Sequence, residues 1–357
     1  AMTALVPSLS FSTNSMGDYL MLNGLSNKYV LILINGKKLT GDSSNNIDLN
    51  RIDMSNVKRI EVLKGAGSAL YGSDAIGGVI NIITNQPIND ITVTSNTKVE
   101  ERGQFTQTAN VDIKTEKFAS YTSYQRRQAD GWTLTRVDAD GEARDQHDAN
   151  AFYTDNYTQM FQFTPNDKLS MYVEGSYYDR TVKRQPEYLK YNLTYDAYSL
   201  GAGAKYNFNK RSYIQFDIKN DNYDTNYLYT NEDGDNKVVV EVRQKRQHYY
   251  SGNLKSLFRF TENTRTIFGV EYIQETLDRP SFNVDERAYT WATYAQEEIT
   301  LFKNLQIQAG LRYVYHETAK SNVTPKLAVM YRLGDFTIRG QYSAGFRAPG
   351  LDELYKY

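Results

Sequence analysis

The densest group of possible metal ligands lies in the segment 128–150. Calcium is bound by about six to eight oxygen atoms, and carboxylates commonly supply them. The spacing differs from that of an EF-hand, because Gly141 directly follows an aspartate and no glutamate stands where the bidentate ligand would be. The segment therefore predicts either a calcium site or an ordinary solvated acidic loop. The candidate ligands are Asp138, Asp140, Glu142, Asp145 and Asp148.

Residues for covalent chemistry are sparse. The chain has no cysteine, which excludes a thiol nucleophile, a cysteine metal site and disulfides. Its 3 histidines are scattered, and no nucleophile elbow, HExxH or Walker A sequence is present. These features predict a protein that is not an enzyme and that requires no cofactor. His147 is a candidate for ligand contact, because it lies in the same polar segment as the acidic residues.

The most glycine-rich motif is GAGSALYGSDAIGGVINIIT, at residues 65–84. Its start has the spacing of a dinucleotide-binding loop, in which glycines let a pyrophosphate approach a helix. However, Leu70 takes the place of the third glycine, and residues 77–83 have the composition of a strand. Left-handed turns and close backbone packing explain these glycines better.

The composition narrows the class of protein. Lysine and arginine number 41 against 42 aspartates and glutamates, so charge gives no reason to expect nucleic acid as a partner. The 30 tyrosines suit strands and the interfacial girdles of membrane barrels. No run of about 18 apolar residues predicts a transmembrane helix. The first residues also lack the pattern of a signal peptide.

From residue 91 onward, apolar and polar residues alternate as in strands with one apolar face. Short turns alternate with longer links at 128–150, 184–193, 225–242 and 279–287. Outer-membrane barrels have short turns at one end and long loops at the other, so this parity predicts such a barrel. The thirteen predicted strands are 91–100, 105–115, 117–127, 151–164, 168–183, 194–208, 211–224, 243–260, 264–278, 288–302, 305–318, 323–332 and 335–347.

Several motifs together resemble one family. NKYVLILINGKKL at 27–39, RIEVLKG at 59–65 and SALYGSDAIGGVINIIT at 68–84 resemble the plug domain of TonB-dependent outer-membrane receptors. FRAPGLDELY at 346–355 resembles the FRAP-type box of receptors for haem and related metal complexes, and cobalamin receptors have a similar segment. The residues that carry the resemblance are Gly65, Tyr71, Gly72, Gly77, Gly78, Phe346, Arg347 and Pro349.

The resemblance implies a mainly β fold, in which an α+β plug lies inside a large antiparallel transmembrane barrel of about 22 strands. Residues 1–87 would be the later part of the plug and residues 91–357 the first part of the barrel. Thirteen strands do not close such a barrel, and the TonB box is not present, so we expect the chain to be a fragment of a receptor.

The resemblance also implies a function, namely active import of a scarce metal complex through the bacterial outer membrane. An iron complex, either haem or a siderophore, is the expected ligand. A cobalamin receptor with calcium-binding outer loops is the alternative, and a non-transporting binding or adhesion protein is the rival class. The implied partners are TonB, outer-membrane lipid, the small-molecule metal complex and a surface lipoprotein or host haem-protein.

The plug loop at residues 40–47 is expected to lie at the plug apex, below the ligand chamber. An ordinary polar turn is the simpler alternative. Arg59 and Glu61 lie on a predicted strand, where a structural role is expected and the barrel wall is one candidate partner. The candidate ligand-contact residues of the loop are Thr40, Asp42, Ser43, Ser44, Asn45 and Asn46.

Overall fold

The structure, a computed structural model, describes residues 8–14, 17–43, 46–137, 141–183, 191–233 and 236–355. We call residues 8–84 the plug region. Its strands are β1 (Leu9–Asn14), β2 (Gly17–Leu22), β3 (Leu25–Ser26), β4 (Val30–Ile34), β5 (Lys37–Lys38), β6 (Asp42–Ser43), β7 (Asn46–Ile47), β8 (Val57–Lys64) and β9 (Gly78–Thr84). One short helix, α1 (Ser68–Tyr71), and 3-10 turns at Asn27–Tyr29, Leu49–Arg51 and Met54–Asn56 complete it.

The core of the plug region is a four-stranded sheet in the order β5-β4-β9-β8. Most apolar side chains of its central strands, β4 and β9, are almost fully buried, as Val30, Ile32 and Ile80 illustrate. The predicted Asn35-Gly36 hairpin is confirmed, since these residues join β4 to β5 with φ angles of 51° and 81°. Glycine and asparagine suit this turn because they tolerate positive φ.

The rest of the chain forms a thirteen-stranded antiparallel sheet, which we call the wall. Its order is β10-β11-β12-β15 and then consecutively to β24, and β10 and β24 are its edges. The strands of the wall and of a separate hairpin, β13–β14, are β10 (Ile91–Val99), β11 (Phe105–Lys114), β12 (Phe118–Ala129), β13 (Trp132–Val137), β14 (Ala143–Ala149), β15 (Ala151–Asn166), β16 (Leu169–Lys183), β17 (Tyr191–Asn209), β18 (Ser212–Asp233), β19 (Asn236–Phe258), β20 (Thr264–Arg279), β21 (Val284–Leu301), β22 (Leu305–His316), β23 (Lys320–Leu333) and β24 (Phe336–Ser343).

The wall confirms the predicted number of strands and corrects some links. The segment 128–150 contains a separate hairpin, β13–β14, rather than only a loop. The long link predicted at 225–242 is wrong, because β18 and β19 pair through most of it. The link predicted at 279–287 is shorter, with a 3-10 turn at Pro280–Phe282 between β20 and β21.

The two faces of the wall differ as the alternation predicts. On β22, Leu311 points outward and is 52% exposed, whereas its neighbour Arg312 points inward and is 2% exposed. Val173 on β16 is likewise outward and exposed. The inward face carries polar groups that contact the plug region, so the sequence pattern sets which residues meet it.

None of the helices in the described residues has the length and apolar character needed to cross a membrane.

Candidate functional site

The predicted apical loop forms the small hairpin β6–β7. Just before it, the hydroxyl of Thr40 donates a hydrogen bond to Asp221 on β18. Ser44 and Asn45 lie outside the described residues, and only the backbone positions of Asp42, Ser43 and Asn46 are described. The loop therefore begins at the wall, and its contact with a ligand stays a prediction.

Asp48 follows this hairpin, and its carboxylate accepts hydrogen bonds from both the wall and the plug region. Its Oδ2 accepts hydrogen bonds from the hydroxyls of Tyr178 at 2.6 Å and Tyr223 at 2.9 Å. Its Oδ1 lies 3.5 Å from Arg180 and also accepts the backbone N–H of Asn50. Burial raises the pKa of Asp48, but Arg180 and these hydrogen bonds outweigh burial and hold the pKa below its ordinary value.

In a second buried ion pair, the plug region supplies the cation and the wall supplies the carboxylate. Arg51 of the plug region lies 2.6 Å from Asp221 of the wall and also donates to the carbonyl oxygen of Thr40. Burial lowers the pKa of Arg51, but the Asp221 carboxylate more than compensates and raises it. Lys219 lies 3.1 Å from the same carboxylate. We call this set of plug and wall residues the anchor: Asp48, Arg51, Tyr178, Arg180, Asp221 and Tyr223.

Gly41 sits inside the anchor with φ of 92°. A Cβ at this position would lie 2.6 Å from Tyr223 and 2.7 Å from Arg51. Real Cβ atoms do not approach so closely, so glycine is needed here both for its backbone conformation and for its size.

Cations and aromatic rings lie together on the inner face of the wall beside the anchor. The guanidinium of Arg180 lies over the rings of Phe152 and Tyr195, at 5.6 Å and 5.7 Å. Arg127 lies 5.9 Å from Phe152 and 3.4 Å from an oxygen of Asn50 in the plug region. Such a surface favours anionic or aromatic ligands.

The box segment, residues 346–355, folds back onto the plug region. The backbone N–H of Phe346 donates to Ser68, and that of Ala348 donates to Ser73. The segment ends in helix α2 (Leu351–Leu354). Phe346 and Pro349 line a cavity between the plug region and the wall.

The charged residues of the box segment make ion pairs with each other and with the plug region. Arg347 lies 2.6 Å from Glu353 and 3.5 Å from Asp74. Glu353 also pairs with Lys28 at 2.8 Å. Burial raises the pKa of Glu353, but hydrogen bonds from Lys28 and Arg347 outweigh it and lower that pKa.

The glycine-rich motif has a structural role in this geometry. Gly65 and Gly72 have positive φ, and a Cβ on Gly72 would lie 2.9 Å from the guanidinium of Arg312. Gly77 and Gly78 are packed against Leu25 and Leu63, where a Cβ would meet side-chain or backbone atoms. Tyr71 is half-exposed at the end of α1. These positions explain why glycine is used there.

The calcium candidates are placed only in part. Asp138 and Asp140 lie outside the described residues, Glu142 is exposed in the hairpin turn, and Asp145, His147 and Asp148 are described only as backbone of β14. Among the described side chains, no group of three acidic or histidine residues is arranged to hold a metal ion. The calcium site stays a prediction.

In the structure, the ion-pair partner of Arg59 is Glu61 rather than the wall. They pair with each other at 2.8 Å, and both side chains are about half exposed. Glu61 also accepts from Asn81 on β9. Residues on the same side of one strand are close enough to pair locally, so no wall contact is required.

The anchor does not follow from the sequence alone. Alternation with Asp217 and Lys219 places Asp221 on the inward face of β18. No pattern indicates that Asp221 meets Arg51, because the two are 170 residues apart.

Comparisons with known proteins agree with these features. The model of the TonB-dependent Receptor Plug Domain matches residues 1–79, and that of the TonB dependent receptor-like beta-barrel matches residues 102–357. An iron-regulated outer membrane virulence protein of Vibrio cholerae is 26% identical, over 98% of this chain and 54% of its own length. The vitamin B12 transporter BtuB of the same species is 25% identical, over 94% and 54%.

Solved structures share the fold. The siderophore receptor PirA of Pseudomonas aeruginosa superposes with a TM-score of 0.71 at 20% identity, over 98% of this chain and 60% of that one. The copper transporter OprC gives a TM-score of 0.80 at 13% identity, over 99% and 63%. The chain spans about half the length of the curated relatives it matches.

Proposed function

The chain belongs to the TonB-dependent receptor family of the bacterial outer membrane, and we propose that the complete receptor imports an iron complex. Receptors of this family are not enzymes, in agreement with the prediction from the sequence. The observation that carries the proposal is the anchor, which fixes the plug region to the inner face of the wall through buried ion pairs. A lumen occupied in this way requires energy to open, which is the role proposed for TonB.

The arginine and aromatic residues beside the anchor favour an anionic iron complex. Ferric catecholate siderophores combine negative charge with aromatic rings, which Arg127 and Phe152 suit. The two histidines whose side chains are described give little support for haem as the ligand. The Nδ1 of His316 accepts backbone N–H groups of its own turn, and His248 is stacked on Tyr250.

Cobalamin is the second candidate. The similarity to BtuB and the acidic segment at 138–148 favour it, because bound calcium would order an outer loop. Cobalamin carries less net negative charge than a ferric catecholate, so its binding should depend less on Arg127.

The test is a binding titration of the complete receptor with a ferric catecholate, haemin and cobalamin, each with and without calcium. We expect saturable binding of the ferric catecholate that is independent of calcium. Arg127→Gln should weaken this binding by about tenfold, the loss of one charge-assisted hydrogen bond. The matched control is Arg126→Gln, because Arg126 faces outward and pairs with Asp155. Calcium-dependent binding of cobalamin, with no binding of the other two compounds, would overturn the proposal. A Soret shift with haemin, with no binding of the other two, would identify haem rather than a ferric catecholate as the iron complex.

A further inference from the structure

The plug region contacts two arcs of the wall in different ways. Toward β12–β18 it is held by the anchor and by Asp53, which accepts hydrogen bonds from Ser123 and Gln125. Toward β19–β22 and the box segment there is a cavity of about 200 Å³. Its lining includes charged residues of the plug region, the wall and the box segment.

Charges alternate in sign along this cavity. Glu275 of the wall lies 3.8 Å from Lys38, which lies 2.8 Å from Asp74. Asp74 then contacts the box segment, where the arginine and glutamate pairs continue to the plug region. All six side chains are between 19% and 34% exposed. We call them the ionic chain: Glu275, Lys38, Asp74, Arg347, Glu353 and Lys28.

The floor of the cavity is another ion pair. Arg312 on β22 pairs with Glu271 on β20, and Gly72 of the plug region lies against its guanidinium. Below Arg312, the inward face of β22 continues through Gln308 and Gln306, which are also polar. One strand therefore presents a polar surface from the cavity toward its lower end.

These two arcs differ in the free energy needed to part them. Breaking a buried pair such as Arg51–Asp221 leaves a charge without water, whereas partly exposed pairs exchange their partner for water at little cost. All six residues of the ionic chain also line the cavity. Separation of the plug region from the wall is therefore easier at β19–β22.

On the basis of the import function proposed above, we propose that the imported complex passes along the inward face of β22. The ionic chain parts to widen the cavity, whereas the anchor stays closed and so does the buried Arg312–Glu271 pair, both of whose members belong to the wall. The route thus lies between Lys38 and Asp74 on one side and β20–β22 on the other.

Cross-linking tests this route, because the chain has no cysteine of its own. In the complete receptor carrying both Lys38→Cys and Glu275→Cys, a short bifunctional thiosulfonate joins the two cysteines. The bridge is attached through disulfide bonds, which a reductant cleaves. The matched control is Ser55→Cys with Ser123→Cys, whose native hydroxyls bond the two oxygens of Asp53 on the anchored arc. Each variant in its reduced form is the reference for its own bridged form.

The readout is energy-dependent uptake of a ferric catecholate carrying radioactive iron. We expect loss of uptake on bridging Lys38→Cys to Glu275→Cys, with recovery on reduction, and unchanged uptake for the control bridge. Loss only with the control bridge, or with both bridges, would overturn the route.

Labelling separates this proposal from the proposed function. Thr290 lines the cavity, and Ser176 lies on the arc held by the anchor, β12–β18. Each is replaced by cysteine in a separate variant, Thr290→Cys or Ser176→Cys. In energised cells supplied with the ferric catecholate or with cobalamin, a water-soluble maleimide should label the first faster and the second at an unchanged rate. If the unsubstituted receptor takes up neither compound, the import proposal fails. Equal acceleration at both positions, or acceleration at Ser176→Cys alone, would sink the route instead.

Discussion

Arg51 and Lys38 are both cations of the plug region paired with a carboxylate of the wall, yet their surroundings differ. The Arg51–Asp221 pair is 2.6 Å long, with side chains 6% and 0% exposed. The Lys38–Glu275 pair is 3.8 Å long, with side chains 25% and 32% exposed. On the proposed route, burial rather than the presence of an ion pair therefore distinguishes the attachment that stays closed from the one that opens.

The largest expected effect is that of Arg51→Ala. It leaves Asp221 buried with only Lys219 as a charged partner, and removal of one member of a buried pair costs about 3–5 kcal/mol. The measurement is the urea dependence of plug release in detergent, followed by limited proteolysis. Lys38→Ala is the matched control and should cost about 1 kcal/mol or less. Equal costs would remove the distinction between the two arcs.

A smaller effect is expected from Gly41→Ala, which tests the close packing of the anchor. Positive φ costs an alanine about 1 kcal/mol, and the approach to Tyr223 and Arg51 should add roughly 1–3 kcal/mol of overpacking. Gly36→Ala is the control, because Gly36 also has positive φ but has no atom within 4 Å of a Cβ. If the two variants unfold at the same urea concentration, the packing argument is wrong.

Much of the wall was predictable because each strand repeats one physical rule, an apolar residue outward and a polar residue inward. The thirteen strands and the Asn35-Gly36 turn follow from that rule and from turn chemistry. The upper parts of β18 and β19 were not predicted because the polar run at 230–237, with Gly234 in it, has the composition of a loop, whereas the pairing continues to Asp233 and Asn236.

The anchor was less predictable than the strands. Alternation assigns Asp221 to the inward face, and local spacing makes Asp48 the cap of a short 3-10 turn. Which wall strand meets which plug residue depends on how the plug region sits against the wall, and that is a property of the whole fold. The predicted loop residue Thr40 shows this, because it contacts a residue 181 positions away.

On the box side, Glu353→Gln should have a still smaller effect. It weakens the contacts with Lys28 and Arg347, which are partly exposed, so the cost should be below about 1 kcal/mol. High salt screens such pairs, and the difference from the unsubstituted receptor should shrink as salt is raised. A cost that is large and insensitive to salt would place this pair in the same class as Arg51–Asp221.

The smallest effect expected near neutral pH is that of pH itself. The folded-state pKa of Asp48 is lowered, so its contribution to plug attachment is fully present above the ordinary aspartate pKa of about 3.9 and is lost as pH falls through the lower folded value. Plug release by urea should therefore be unchanged between about pH 7 and pH 5 on account of this group, and easier in stronger acid. Asp48→Asn should reduce that acid dependence, since Arg180 and the hydroxyls of Tyr178 and Tyr223 then face a group that does not titrate. An acid dependence identical in Asp48→Asn and the unsubstituted receptor would show that other carboxyls control release, and that the anchor contributes no pH-dependent attachment.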